Sequence, residues 1–293
     1  MSAGAVPIEA RARTASGPAP LNRPNLRARL GRMVLPVYTG LVVIYLFLPI
    51  AVMIAFSFNN PAGHQNITWQ GFTVEHYLSV WGRPDITGPM ITSLAVALVS
   101  TVLATTLGTL MGLALTRYEF RGRGLTSTLI FLPMASPEVI LGASLLSLFV
   151  SVGVQRGFLT ILIAHVMFNI SYVVVTVRAR IAGFNRTLEE AAMDLGATEW
   201  TTFRKVTFPL IFPGILAAAL LAFALSIDDY VITTFAAGAT RTFPLWVFGV
   251  SRIGVPPEVN VLGTLIFVVA GFFILVNVWL QRRSAAAARS RPT

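Results

Sequence analysis

The stretch EEAAMDLGATEWTTFRKVTFPLIFPGI, residues 189–215, interrupts a chain that is otherwise strongly apolar. It contains four of the 12 acidic residues of the protein and its single lysine, Lys205. Connections between packed helices commonly need only about 2–8 residues and few charges. We therefore interpret this stretch as a folded element with a task of its own.

The composition around the stretch is that of a membrane protein. Apolar residues make up 55% of the chain and charged residues only 12%, which is about half the roughly 25% of soluble domains. Several apolar runs reach about 18 residues, enough to cross a bilayer about 30 Å thick as a helix. Cysteine is absent from the sequence, which excludes disulfides and thiolate metal sites. We predict an all-α protein with six transmembrane helices.

The apolar runs divide the chain into a membrane domain, residues 34–281, and two tails. Residues 1–33 are basic and are expected to be disordered, and residues 282–293 form a second tail. The first apolar run is too long for the core of a signal peptide, so we expect it to be retained. The predicted spans are Val34–Phe58, Ile91–Thr116, Thr126–Val150, Phe158–Val177, Leu210–Phe235 and Val261–Leu280.

The basic residues are distributed unequally between the two sides of these spans. Of the 22 Lys and Arg residues, 18 lie in the two tails or in the loops 117–125 and 178–208, and four lie in the three alternate loops. Basic residues concentrate in cytoplasmic loops, so both termini and residues 178–208 are predicted to be cytoplasmic. The net charge of +10 thus reports topology and contact with anionic lipid, and we predict no nucleic-acid partner.

The first half of the quoted stretch has the signals of a short helix. Thr187 and Glu190 have the spacing of a capping box, in which each side chain bonds the backbone of the other. Apolar residues follow at the spacing of one helical face. This apolar face consists of Leu188, Ala191, Ala192 and Leu195.

The second half of the stretch predicts a sharp turn and a second helix. Gly196 permits the positive φ that ends a helix, and Thr198 is suited to cap the helix that follows. Pro209 and Pro213 mark the start of the fifth span, which Pro213 is expected to bend. The predicted result is a helix–glycine–helix knob with an apolar patch in a polar surround, which is typical of a protein docking site.

These residues resemble the EAA motif of permease subunits in binding-protein-dependent ABC importers. Glu190-Ala191-Ala192, then Gly196, then Pro209 in an apolar-proline signature occupy the places of the motif. The resemblance implies that residues 187–208 form a coupling segment that sits in a cleft of an ATP-hydrolysing partner, with Leu195 in its apolar face. The alternative is a plain cytoplasmic connector.

The chain has no sequence motif for ATP hydrolysis of its own. Lys205 stands in FRKVTF without the glycine-rich lead that a phosphate-binding loop requires. The three histidines are too scattered to predict a metal cluster, and no G-x-S-x-G elbow is present. We expect no catalytic residue, metal or cofactor in this chain, with ATP and Mg²⁺ held by partner ATPase subunits.

Three acidic residues are predicted at membrane depth, where charges are costly and often mark a transport pathway. They are Glu138, near the middle of the third span, and Asp228 and Asp229, in the fifth. Because no Lys or Arg lies in the predicted core of a span, the acids suit a cationic passenger. Alternatively, the two aspartates end a helix near the outer surface, and Glu138 is protonated or bonds backbone groups that Pro137 leaves free.

Three aromatic residues near these acids have two possible roles. Tyr230, Trp246 and Phe248 are suited to cation–π contacts with an amine, but anchoring at the membrane interface is the commoner role of membrane Trp and Tyr.

Other features of the spans concern helix packing. Gly108 and Gly112 form a small-xxx-small pattern that allows close approach of another helix, within the chain or across a subunit interface. His165 and Asn169 are expected to form interhelical hydrogen bonds rather than to contact substrate.

A narrower resemblance concerns residues 160–270. AHVMFNISYVVVTVRARI, SIDDYVITTFAAG and TFPLWVFGVSRIGVPPEVNVLGTLIF are similar to the second permease subunit of spermidine/putrescine importers. The chain departs from these importers at Ser171, where proline is expected, and in its long N-terminal tail.

The resemblance implies a bacterial inner-membrane complex of two different permeases, two ATPase copies and an extracytoplasmic solute-binding protein that docks on residues 59–90 and 239–260. It also implies a substrate pathway past Glu138, Asp228, Asp229 and Tyr230.

Other functions remain open at this point. The chain could be an importer permease for an opine or an amino-acid-like solute, an ion-driven secondary transporter, or a membrane scaffold or intramembrane enzyme. A secondary transporter would not need the knob, and the sequence lacks the inverted repeats of many such proteins.

Overall fold

The computed structural model of the chain describes residues 26–63, 65–183 and 185–289. Residues 1–25 of the predicted N-terminal tail and residues 290–293 of the C-terminal tail lie outside the described part. The regular elements in that part are helical apart from one isolated bridge between Asn59 and Phe72, which confirms the all-α prediction. Its α-helices are α1 Leu26–Phe56, α2 Glu75–Ser79, α3 Pro84–Arg117, α4 Arg123–Ala135, α5 Glu138–Ser151, α6 Phe158–Ala182, α7 Thr187–Asp194, α8 Glu199–Thr202, α9 Phe208–Ile227, α10 Val231–Ala236, α11 Phe243–Ser251 and α12 Pro257–Arg289.

The chain divides into two units, Met1–Val52 and Met53–Thr293. The first unit contains most of α1, whose apolar part, Met33–Phe56, is long enough to cross a membrane. Its helix begins at Leu26, before the predicted start of the first span. The second unit contains the remaining helices.

Three long helices, α3, α6 and α9, form the centre of the second unit. Helices α3 and α6 run parallel, because a Cβ placed at Gly108 would lie 2.6 Å from Cγ1 of Val173 and one at Gly112 would lie 3.4 Å from Cγ1 of Val177. The predicted small-xxx-small pattern therefore serves close packing within the chain. Helix α9 runs antiparallel to α6, since Gly214 near its start packs against Arg180 near the end of α6.

The third predicted span, Thr126–Val150, is not one straight helix. Helices α4 and α5 meet at an angle of 109°, and the bend lies at Ser136 and Pro137. Proline disfavours the helical conformation in the residue before it, so α4 ends at Ala135. Glu138 consequently lies at the start of a helix and not in the middle of one.

The fifth predicted span, Leu210–Phe235, is also interrupted. Helix α9 ends at Ile227 and α10 begins at Val231, so both aspartates lie in the break between them. At the other end of α9, residues Phe203–Thr207 form a π-helical turn, with the Phe208 N–H bonded to the Phe203 carbonyl oxygen. Such turns commonly mark functional sites.

Four helical segments of the described chain are long and apolar enough to span a membrane, and the bent α4–α5 pair is a fifth candidate. The described apolar part of the sixth predicted span is shorter, Pro257–Phe272, within a helix that continues to Arg289.

The parallel arrangement of α3 and α6 gives the second unit two ends. We call the end that contains residues 117–125 and 178–208 the basic end. The opposite end contains the segments that precede α3 and α6 and the segment between α10 and α12. There an ion pair of 2.5 Å joins Arg83 to Glu258, and the Asn66 N–H donates to the Val255 carbonyl oxygen at 2.9 Å.

Candidate functional site

The knob at the basic end consists of α7, a glycine turn and α8. Gly196 has a φ of +86°, and its N–H donates to the Met193 carbonyl oxygen at 2.9 Å. The next residue, Ala197, donates to the Ala192 carbonyl oxygen at 3.1 Å. These two bonds are the Schellman arrangement that ends a helix at a left-handed residue. The prediction of a sharp helix end at Gly196 is confirmed.

The start of the knob differs from the prediction, because Thr187 and Glu190 do not form a capping box. Thr187 is the first helical residue, and its hydroxyl bonds the side-chain oxygen of Asn185, which also accepts the Thr187 N–H at 3.1 Å. The Glu190 carboxylate lies 3.7 Å from Nε of Arg186. Asn185 therefore supplies the side-chain acceptor at this helix start. Thr198, as predicted, accepts the Thr201 N–H at the start of α8, at 3.3 Å.

Large apolar side chains of the knob are exposed. Leu195 is 89% exposed and Trp200 is 69% exposed. We define the knob surface as Leu188, Ala191, Met193, Leu195 and Trp200, all of which are exposed. Of the remaining predicted coupling residues, Glu190 and Pro209 are exposed and Ala192 is half-buried. An apolar surface in a charged segment is suited to docking another protein.

The knob is attached to the helical centre by a residue that sequence reasoning missed. The Glu189 carboxylate accepts hydrogen bonds from Nη2 of Arg117 at 2.8 Å and from the Thr207 hydroxyl at 2.6 Å. Glu189 thus ties α7 to the end of α3 and to the π-helical turn before α9. The side chains of this ion pair are only 13% and 18% exposed. These contacts connect the knob to two long helices, α3 and α9.

At the break between α9 and α10, Asp229 is held inside the protein. Its Oδ2 accepts both the N–H and the hydroxyl of Thr233, each at 2.7 Å, and lies 3.3 Å from Nε2 of His165. The other ring nitrogen of His165 lies 2.6 Å from the Ser226 hydroxyl, which lies 3.0 Å from that of Ser100. This buried network joins α3, α6, α9 and α10.

The two aspartates therefore have different environments. Asp228 is exposed, whereas Asp229 faces His165. His165 forms the expected interhelical hydrogen bonds. The same prediction is wrong for Asn169, which is buried and whose amide has no hydrogen-bond partner among the described residues.

The other predicted pathway residues lie outside this network. Glu138 is exposed in the first turn of α5, where a carboxylate interacts favourably with the helix dipole. Helix α5 packs on α10, with Gly142 against the ring of Phe235, so the two broken spans adjoin.

The structure separates the three aromatic candidates. The rings of Tyr230 and Phe248 are 4.5 Å apart, and the guanidinium carbon of Arg252 lies 4.6 Å from the Phe248 ring centre. Trp246 is instead buried and stacks on Phe243, with ring centres 6.0 Å apart. Trp246 is a core residue, and Tyr230 and Phe248 form a separate pair.

Residues 104–289 match the family of binding-protein-dependent transport system inner membrane components. The chain belongs to this family. The matched region begins within α3 and includes the knob, its attachment to the helical centre and the break at Asp228 and Asp229.

Curated relatives are similar over most of their length. The chain is 37% identical to the spermidine/putrescine transport system permease protein PotC of Escherichia coli (strain K12), over 86% of this chain and 96% of that protein. It is also 37% identical to the putrescine transport system permease protein PotI of the same strain, over 82% of this chain and 88% of that protein.

Solved structures have the same fold at low sequence identity. A chain of a bacterial ABC transporter for import of the acidic polysaccharide alginate superposes with a TM-score of 0.61 at 16% identity, covering 87% of this chain and 95% of that chain. A chain of the MetNI methionine ABC transporter gives 0.56 at 18% identity, covering 68% and 95%. These likenesses concern the fold alone.

Proposed function

We propose that this chain is one permease subunit of an ATP-driven, binding-protein-dependent ABC importer of polyamines such as spermidine and putrescine. The observation that carries the proposal is the 37% identity to PotC and PotI, relatives named for these substrates, over nearly their whole length. The complex would contain two different, homologous permeases as a heterodimer, two ATPase copies and an extracytoplasmic solute-binding protein. The chain forms half of the translocation pathway.

The proposed orientation places the basic end and both termini in the cytoplasm of a bacterial cell, with six spans in the inner membrane. The excess of Lys and Arg in the tails and in residues 117–125 and 178–208 supports this orientation. The opposite end then faces the binding protein, which docks on residues 59–90 and 239–260.

In this complex the knob surface occupies a cleft of the ATPase subunit. Ala191, Ala192 and Leu195 supply apolar contact, and Glu190 lies at its edge. Gly196 and Pro209 set the direction of the chain on either side of α8. The exposure of Leu195 and Trp200 supports this role, because the removal of exposed apolar area from water stabilises a complex.

The proposed transport cycle uses the attachment of the knob to α3 and the π-helical turn, which supports a coupling role. ATP and Mg²⁺ bind to the partner ATPases, whose closure moves the two permease knobs together. Through Glu189 and Arg117, the movement of the knob reaches α3, and the pathway opens toward the binding protein. Hydrolysis reverses the movement and opens the pathway to the cytoplasm.

The pathway for the passenger passes the broken spans. Asp228 and Glu138 are exposed carboxylates that attract a cationic passenger, and Tyr230 lies beside Asp229 in the same break. Asp229 supports the pathway by fixing the start of α10, because its carboxylate is engaged by Thr233 and His165.

The test uses the complex purified with its partners and reconstituted into liposomes. Labelled spermidine and putrescine should enter only with ATP, the ATPase and the binding protein present. The chain should co-purify with these partners in mild detergent. Uptake driven by an ion gradient without ATP would contradict the proposal, and uptake of an opine or amino acid in place of polyamines would correct its substrate.

Gly196→Asp tests the docking of the knob. Aspartate is among the residues that tolerate positive φ best, and a Cβ at Gly196 meets no atom within 4 Å, so the knob should still fold. The added carboxylate should abolish uptake by disturbing the apolar contact. Gly122→Asp is the matched control, since Gly122 has a φ of +91°, is equally open and lies at the same end. Equal uptake by the two variants would contradict the docking role.

A further inference from the structure

The guanidinium group of Arg252 contacts the face of the Phe248 ring. The guanidinium carbon lies 4.6 Å from the ring centre, within the roughly 6 Å of a cation–π interaction. None of the ion pairs in the described part of the chain includes Arg252. Its charge is therefore held by an aromatic face and not by a carboxylate.

The aromatic face belongs to a pair that links two separate elements. Phe248 lies on α11, and Tyr230 lies in the break between α9 and α10, with ring centres 4.5 Å apart. Phe248 is 40% exposed, so part of its ring is not covered by the rest of the described chain. The exposed Asp228 is two residues before Tyr230 in the same break. An aromatic pair, a carboxylate and a bound cation thus occur around one interruption of the helices.

We propose that Tyr230 and Phe248 form an amine-binding aromatic site in the pathway, and that Arg252 occupies this site until an alkylammonium group of the passenger replaces it. The inference deepens the proposed function and rests on it. An ammonium group is attracted to the negative face of an aromatic ring as a guanidinium is, so the ring that holds Arg252 is also suited to the passenger.

The resident arginine makes the site an exchange site. Exchange of one cation for another keeps the charge at the ring constant, so the aromatic face is not left without a cation between transport cycles. Arg252 also competes with the passenger, so that a passenger must displace it in order to bind. Arg252 directly follows α11, which ends at Ser251. It begins the connection to α12, so its side chain can leave the ring without unfolding a helix.

The experiment measures uptake and ATP hydrolysis together in the reconstituted complex, at limiting spermidine. Phe248→Leu keeps an apolar side chain but removes the π face, and it should lower uptake about three- to tenfold. Because Phe248 also lies within residues 239–260, where the binding protein docks, ATP hydrolysis stimulated by the binding protein is measured beside uptake and should fall much less than uptake does. Phe248→Trp should restore uptake, because indole is the strongest cation–π partner. Phe158→Leu is the matched control: Phe158 is also 40% exposed, at the same end, and its replacement should leave uptake unchanged.

A double-mutant comparison tests the resident cation. Arg252→Gln should raise uptake at limiting spermidine about two- to threefold, because the competing cation is lost. In the Phe248→Leu background the same substitution should have no effect, since Arg252 acts through the ring. A full effect of Arg252→Gln in that background would overturn the exchange.

Other outcomes separate this inference from the proposed function. If Phe248→Leu and Phe158→Leu both transport as the wild type does, or if uptake and ATP hydrolysis fall in parallel in Phe248→Leu, the aromatic site is wrong while polyamine import stands. If the wild-type complex with its ATPase and binding protein transports no polyamine, the proposed function is wrong, and the inference falls with it.

Discussion

The knob and the break between α9 and α10 each contain two adjacent acids, but the two regions expose different kinds of side chain. The knob exposes Leu195 and Trp200 and buries the charged group of Glu189 against Arg117. The break exposes the charged group of Asp228 and buries Asp229 against His165. Each region thus has one acid engaged within the protein and a neighbouring acid, Glu190 or Asp228, that faces outward.

This difference indicates which side chains hold the fold and which meet partners. Each engaged acid accepts short hydrogen bonds within the protein, from Arg117 and Thr207 at Glu189 and from Thr233 at Asp229. The loss of either acid leaves buried donors unsatisfied. The exposed groups make few contacts within the chain, so their loss should affect transport more than stability. Substitutions in the two regions can test this division.

The largest loss of stability is expected from Glu189→Ala. Removal of one partner of a mostly buried ion pair leaves the other charge unpaired, at a cost of about 3 kcal/mol. The melting temperature of the purified complex should fall, and uptake with it, because the knob is no longer tied to α3. Glu119→Ala is the control: Glu119 is 95% exposed and 4.0 Å from Arg123, so its loss should change stability by less than about 1 kcal/mol. Similar melting temperatures for the two variants would contradict the division at the knob.

A smaller loss is expected from Asp229→Asn. Asparagine keeps an oxygen for Thr233 but loses the charge that strengthens these hydrogen bonds, which we expect to cost about 2 kcal/mol. Asp228→Asn, at the adjacent exposed position, should leave the melting temperature unchanged and reduce spermidine uptake instead. The melting temperature and the spermidine uptake should be measured for both variants. If Asp228→Asn destabilises the complex as much as Asp229→Asn does, the two acids do not have separate roles.

The sequence predicts the features that depend on neighbouring residues and composition. Gly196 ends α7 as predicted, because a Schellman arrangement needs only a residue that accepts positive φ after a short helix. The all-α class likewise follows from apolar runs. The capping box failed although its spacing is present, because Asn185 competes for Thr187.

The missed features depend on contacts between distant segments. Glu189 and Arg117 are 72 positions apart, and no periodicity marks either as a partner. The same limitation applies to Asp229 and His165, since a sequence does not say which of two adjacent acids faces inward. Pro137 itself indicates a possible bend. The sequence stays apolar on both sides of this proline, however, so hydropathy predicts α4 and α5 as one span.

An intermediate effect is expected at the interface of α3 and α6, which lies between the two regions. In Gly108→Ala the new methyl group would lie 2.6 Å from Cγ1 of Val173, whereas in Gly112→Ala the corresponding distance to Val177 is an ordinary 3.4 Å. Overpacking commonly costs about 1–3 kcal/mol, so Gly108→Ala should melt at a lower temperature and Gly112→Ala close to the wild type. Equal melting temperatures would mean that this interface adapts, and that movement of α3 need not reach α6.

The smallest effect on stability is expected from Leu195→Ser, which therefore tests the division most directly. Leu195 is 89% exposed, so its replacement removes almost no buried contact, and surface substitutions usually change stability by less than about 0.5 kcal/mol. The melting temperature of the isolated chain in detergent should stay constant. If the knob surface binds the ATPase, less ATPase should co-purify with the variant and uptake should fall, because the lost apolar area lies in that contact. Full uptake and normal co-purification would show that Leu195 does not contact the ATPase. The part of the knob that binds the ATPase would then lie elsewhere, and Trp200 would be the next residue to replace.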